Sequence, residues 1–247
     1  MKNQRFFTRK FVPAAQSLQV LMKGMVINMN YRKRKIYDIS MPIHMDMPVY
    51  KGKEEKRPVI NVESDHRTGT AYESSIRMNL HTGTHLDRPL HMIPDGETMD
   101  TLKLEELVTD CVVVDLTQAR EQITEKELIS KDIRSGDFVI LKTRNSFEPI
   151  LEENFVYLEK SGAKYLADLR VRGVGIDALG VERAQPGHET HLALMSVGAH
   201  ILEGLRLAKI QEGRYELIAL PLTIAGAEAA PVKAILIELE EASQSKT

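Results

Sequence analysis

The sequence has a single cysteine, no tryptophan and no apolar run that approaches the length of a bilayer. A lone cysteine excludes an internal disulfide and fits a reducing compartment, so the protein is expected to be cytoplasmic. Cys111 opens the stretch Cys111-Val-Val-Val-Asp-Leu116, which reads as a buried strand, and its thiol is expected to be an inert core group. About eighteen consecutive apolar residues would be needed to span a membrane, and no stretch comes near that. Acids are absent from positions 1–37, which hold nine Lys or Arg, so residues 38–247 carry 24 basic and 35 acidic groups. An acidic body of this kind argues against a nucleic-acid partner. Also missing are a Gly-x-Ser-x-Gly elbow and a phosphate loop, and Gly173-Val-Gly-Ile-Asp177 makes no dinucleotide fingerprint because Gly180 falls at the wrong offset.

Residues 1–34 form a basic N-terminal segment in which Phe6, Phe7, Phe11, Leu18, Val20 and Leu21 follow no clean period. No compact apolar segment there leads to a small-residue cleavage site, so a poorly ordered extension is expected rather than a secretory signal. The folded body is expected to cover 35–247 as one domain without repeats or linkers.

The densest chemistry lies in Asn79–Thr101, which places His81, His85, Asp87 and His91 within eleven residues. Imidazole and carboxylate together suit Zn, Mn or Fe(II), whereas Mg or Ca would draw on oxygen ligands almost alone. Gly83 and Pro89 disfavour a helix, so the segment reads as a loop fed by a strand over Glu73–Leu80. Leu80, Leu86, Leu90 and Ile93 interleave the polar groups and would pull the loop against a core, which three solvated surface histidines would not need. The segment therefore reads as half of a transition-metal site. His191 at a helix start and Glu203 on a following strand are the best candidates for the other half, since a glutamate beside Ile201, Leu202 and Leu205 is costly to bury alone. Tyr50, in the proline-containing loop over 41–52, is a candidate for lining a pocket.

Alternating or unbroken apolar patterns predict strands at Lys35–Ser40, Cys111–Leu116, Asp137–Thr143, Gly173–Asp177, Tyr215–Leu220 and Val232–Leu239. Helices are expected at Leu102–Val108, at Glu125–Ser130 behind the capping-box pattern Thr124-Glu-Lys-Glu127, and at Gly162–Val171. The alternation of strands and helices gives an α/β fold.

His81-x-Gly-Thr-His85-x-Asp87-x-Pro89-x-His91 resembles, position for position, the signature of the cyclase family of metal-dependent hydrolases, whose best known members are bacterial kynurenine formamidases. The resemblance extends over roughly Ile36–Leu239. It implies a swivelling β/β/α fold and a homodimer or homotetramer in which neighbouring subunits contribute to the pocket. It implies that His81, His85 and Asp87 hold one metal, that Asp87 and Glu203 bridge to a second held also by His191, and that His91 transfers protons. Two Zn ions per subunit are expected on this basis, or Mn as in the relatives that open isatin. Two positions depart from the formamidase pattern. Arg88 stands where a small residue is usual and is expected to face solvent or pair with a substrate carboxylate, and Tyr50 stands in the loop where those enzymes tend to have tryptophan. The function implied is an arylformamidase acting on N-formylkynurenine. The alternatives are a cyclic amide or lactone hydrolase and a metal-binding relative without turnover.

Overall fold

The computed structural model describes residues 20–22, 25–27, 34–147 and 154–239. The chain divides into two compact units, Met1–Arg34 and Lys35–Thr247. In the first, β1 (Val20–Met22) pairs antiparallel with β2 (Met25–Ile27). The expectation of a poorly ordered extension otherwise lies outside the described residues.

The second unit contains β3 (Ile36–Asp38), β4 (Val59–Ser64), β5 (Glu73–Arg77), β6 (His85–Asp87), β7 (Val108–Asp115), β8 (Gln122–Ile123), α1 (Glu125–Leu128), β9 (Phe138–Lys142) and β10 (Tyr157–Leu158). These are followed by α2 (Lys160–Asp168), β11 (Gly173–Ile176), α3 (Glu189–Ser196), β12 (His200–Glu203), β13 (Gly213–Pro221) and β14 (Ala229–Glu238). Strands β7, β9, β11 and β12 run parallel side by side. Antiparallel β6, β14 and β13 continue the sheet, and β13 pairs back onto β7 to close a seven-stranded barrel, with β3 added outside on β14.

Two-residue periodicity divides the core into two layers. Cys111 and Val113, Phe138 and Ile140, Leu202, Leu217 and Leu236 point into the barrel. Val112 and Val114, Val139 and Leu141, Val174 and Ile176 point outward beneath α1–α3, where Leu128, Leu166 and Leu194 cover them. Strands buried on both faces read as unbroken apolar runs, which is why Cys111–Val114 and Phe138–Leu141 were legible as strands. The inward positions of β11 are glycines for lack of space: a Cβ on Gly173 would lie 2.4 Å from the Phe138 ring, and one on Gly175 would lie 2.6 Å from Ile140. Cys111 is buried in the barrel, and desolvation pushes its thiol up, away from any nucleophilic role.

The predicted helix over Leu102–Val108 is instead a single 3-10 turn, Leu104–Glu106, followed directly by β7, because the chain from Val108 onward pairs with β13. The capping box at Thr124 is present, although α1 it starts is only one turn long. The β4–β5 hairpin was not anticipated beyond its second strand.

Candidate metal centre

Strand alternation and register build the site. β6 lies between β12 and β14, with His85 opposite Glu203 and Leu86 opposite Leu202. Leu86 and Leu202 enter the barrel, so His85, Asp87 and Glu203 are sent together to the outer face, toward α3. From there α3 supplies His191. Asp87 and Glu203 are only 2% and 4% exposed.

Distances among these groups are short. His85 Nε2 lies 3.2 Å from Glu203 Oε2 and 3.5 Å from Asp87 Oδ1. His191 Nε2 is 3.6 Å from both Asp87 Oδ2 and Glu203 Oε1. His81 Nδ1 is 2.9 Å from Asp87 Oδ1. Yet His85 Nε2 and both Asp87 oxygens make no properly aligned hydrogen bond among the described residues. Buried polar atoms are almost always satisfied, so converging lone pairs with nothing aligned between them fit a cation better than a proton network. The backbone prepares them for it: His85 Nδ1 lies 2.9 Å from the Gly83 carbonyl, an arrangement in which Nδ1 carries the proton and Nε2 is the free ligand atom.

The electrostatics agree. Burial alone would lower His85, but Asp87 and Glu203 outweigh it and raise its pKa to about 9. Burial likewise lowers His191, and Asp87, Glu182 and Glu203 reverse this to hold it well above its ordinary value. Burial and Asp87 push Glu203 up, while His191 and His85 bring it down to about 2. Asp87 is desolvated too, and His191, His81 and His85 hold it well below the usual carboxylate range. In the cation-free protein, imidazolium charge therefore balances two buried carboxylates, and a divalent cation would take over that role and release the protons. The donor set of imidazole and carboxylate points to a metal cofactor.

A cavity of about 570 Å³ opens over the cluster, lined by His81, His91, His191 and Glu203 and walled by Tyr50. Tyr50 rests on Gly180, where an added Cβ would sit 3.4 Å from its ring, and packs against Met41, Met47, Val49 and Leu179. His91 ends a 3-10 turn begun by Pro89, and its ring centroid is 4.1 Å from that of His81 and 5.6 Å from that of His191. Burial first, then the neighbouring His81 and His191 against the opposing pull of Asp87, hold its pKa below the ordinary histidine value.

Arg88 does not take the expected role. It follows Asp87 in an extended backbone and so points the opposite way, where it is 4% exposed and lines no part of the cavity. Its guanidinium donates to Thr98 O, Glu97 Oε2 and Thr101 Oγ1, pinning the turn at 97–101 beneath the site. His200 lies at the other end of β12, 3.0 Å from Glu106, and is apart from the cluster.

Two acids escaped the sequence reading. Glu182 accepts from the Thr190 amide and lies 2.6 Å from His191 Nδ1, so one carboxylate caps α3 and orients its histidine. Glu228 lies 3.3 Å from His81 Nε2. Neither stands in a spacing that marks it, since each reaches its histidine only through packing.

Comparison with known proteins places the chain among its relatives. The family model described as putative cyclase matches residues 37–183. A kynurenine formamidase of Salinibacter ruber is 34% identical over 204 residues, covering 81% of this chain and 96% of its own length. A solved structure described as a potential metal-dependent hydrolase with cyclase activity is 47% identical, with a TM-score of 0.79 over 84% of this chain and 100% of its own. Isatin hydrolase A from Labrenzia aggregata shares the fold, with a TM-score of 0.72 at 23% identity over 83% of this chain and 93% of its own. With the signature at 81–91 carried into a closed barrel and the family model spanning more than half of the sequence, the chain belongs to the cyclase family.

Proposed function

We propose that this protein is a metal-dependent amide hydrolase, an arylformamidase acting on N-formylkynurenine or a close aryl formamide, with Zn or Mn as its metal. One observation carries the reading: a buried set of unsatisfied ligand atoms at His85 and Asp87 lies against His81, His191 and Glu203, which line a cavity walled by an aromatic ring. Its kynurenine formamidase relatives support the substrate class. His81, His85, Asp87, His191 and Glu203 would hold the metal, with room in the donor set for two ions per subunit. A bound divalent ion supplies Lewis-acid polarisation of a carbonyl and lowers the pKa of water.

The chain's own residues do the rest. Tyr50 offers an aromatic face to an aryl group. His91, neutral at pH 7 because its pKa is held down, takes the proton of the attacking water at a ring nitrogen. The water oxygen bonds to the formyl carbon, and as the C–N bond breaks that proton passes to the amine nitrogen, leaving a free arylamine and formic acid, whose remaining proton goes to solvent to give formate. Glu182 keeps His191 in one ring orientation. A cytoplasmic homodimer or homotetramer completes the proposal; exposed Ile60, Val62 and Ile76 on the β4–β5 hairpin give it an apolar surface to bury. Among the described residues no helix is long and apolar enough to cross a membrane.

Chelation with EDTA should abolish arylformamide hydrolysis, and added Zn or Mn should restore it; turnover indifferent to EDTA would remove the metal from the mechanism. Isatin assayed beside N-formylkynurenine separates the ring-opening alternative, which the shared fold of the isatin hydrolases keeps in view. An intact His91 argues against a relative that merely binds metal. Exchanging Glu182 for glutamine should weaken metal affinity by about 10–100-fold in a competitive chelator titration, with the fold intact by circular dichroism. Unchanged affinity would deny Glu182 its positioning role.

A further inference from the structure

The cavity is lined by both acidic and basic groups. Its acidic lining is already matched. Glu182 lies within 2.9 Å of both His188 Nδ1 and His191 Nδ1 and also accepts from Thr190 N and Gln185 Nε2. Glu203 accepts from Val181 N and faces His85 and His191. Lys51 and Lys56 line the same cavity, and among the described residues neither makes an ion pair. Their ammonium groups lie 5.1 Å and 5.2 Å from the centroid of the Tyr50 ring, so the aromatic wall carries a cation at each of two positions.

This arrangement is held rather than incidental. Lys51 sits in the left-handed region at φ 58°, followed by Gly52 at φ 55°, a conformation that a lysine adopts only under constraint. Lys56 is half-buried, and its carbonyl accepts from Thr82 Oγ1 at 2.9 Å, which ties the lysine loop to the histidine segment.

We infer that Lys51 and Lys56 form an anion subsite that selects substrates bearing a carboxylate on the group carried by the amide. The inference rests on the amide-hydrolase reading and deepens it. A carboxylate placed against the Tyr50 wall would meet two uncompensated cations while the amide faces the histidine cluster. A neutral amide of the same shape would gain nothing from them.

The test uses the full chain loaded with metal, the double variant Lys51→Ala/Lys56→Ala, and a matched pair of substrates, 2-formamidobenzoate and formanilide. The variant should raise KM for the anionic formamide about tenfold, as two partly exposed ion pairs would contribute, with kcat and the KM for formanilide within about twofold. Lys51→Arg/Lys56→Arg should restore the anionic preference, and rising salt should erode it in the wild type. Calorimetric titration with benzoate and benzamide reads the subsite without turnover: the alanine pair should weaken benzoate about tenfold and leave benzamide unchanged. Loss of benzoate binding with neither formamide hydrolysed would keep the subsite and overturn the hydrolase reading. Equal benzoate affinity in wild type and alanine variant would overturn the subsite, whatever the formamides do.

Discussion

Replacing His91 by alanine should lower kcat for an aryl formamide by about 10²–10⁴, the usual contribution of a positioned acid–base group, while leaving metal content near that of the wild type. Its ring lines the cavity and stacks near His81 rather than lying in the buried floor between β6 and β12. The pH profile should show the same residue. A base works only when unprotonated, and His91 has a pKa held below its ordinary 6.5 by burial and by two neighbouring histidines. The wild-type kcat/KM should therefore fall on the acid side of pH 6.5, because protonation removes the base as pH drops. That limb should vanish in His91→Ala. His81, Asp87 and His91 have ligand atoms close enough to share an ion, so metal analysis decides the matter: a variant that loses its metal would make His91 a ligand.

Exchanging Gly204 for alanine should destabilise the protein by about 3 kcal/mol or more, combining left-handed strain with overpacking of backbone against backbone. Gly204 follows Glu203 directly and has φ +71°, and a Cβ there would lie 2.2 Å from Gly83 O and 2.6 Å from Gly83 C. The obstacle cannot swing aside as a side chain would. Gly83 O is the partner of His85 Nδ1, and Thr84 Oγ1 donates to Gly204 O at 2.7 Å, so any shift carries the ligand segment with it. Differential scanning calorimetry should show a fall in Tm of about 6–12 °C together with weakened metal binding. Gly198, at φ +75° with nothing within 4 Å of an added Cβ, provides the comparison. Alanine there meets only the conformational cost, about 1–2 kcal/mol. Equal effects at the two glycines would show that the close approach of Gly204 to Gly83 carries no special energy.

Much of this architecture was legible because its signals are local. Cys111–Val114 and Phe138–Leu141 declare themselves as strands by unbroken apolarity, and Thr124 with Glu127 as a helix start by capping chemistry. The histidine segment stood out by density alone. Glu203 was found because an acid among Ile201, Leu202 and Leu205 has few ways to be buried. The misreadings share one cause, which is that direction and pairing are not local. Arg88, beside Asp87, was expected to face solvent or a substrate carboxylate, yet it is buried, and neighbours in an extended chain face opposite ways. Leu102–Val108 had a helical pattern until pairing with β13 claimed Val108 for a strand. Glu182 and Glu228 carry no sequence signal at all, because each becomes relevant only once β6 and α3 are packed.

The amino-acid sequence by itself marked the candidate groups, His81, His85, Asp87, His91, His191 and Glu203, and most of the strands around them, but not β6, which lies inside the segment read as a loop. Only the tertiary structure decided that they meet. That outcome depends on the register His85↔Glu203 across β6 and β12, on α3 lying over their outer face, and on closure of the barrel between β13 and β7. A strand slipped by one residue would turn every side chain to the other face, and no run of residues read in isolation specifies its partner's register.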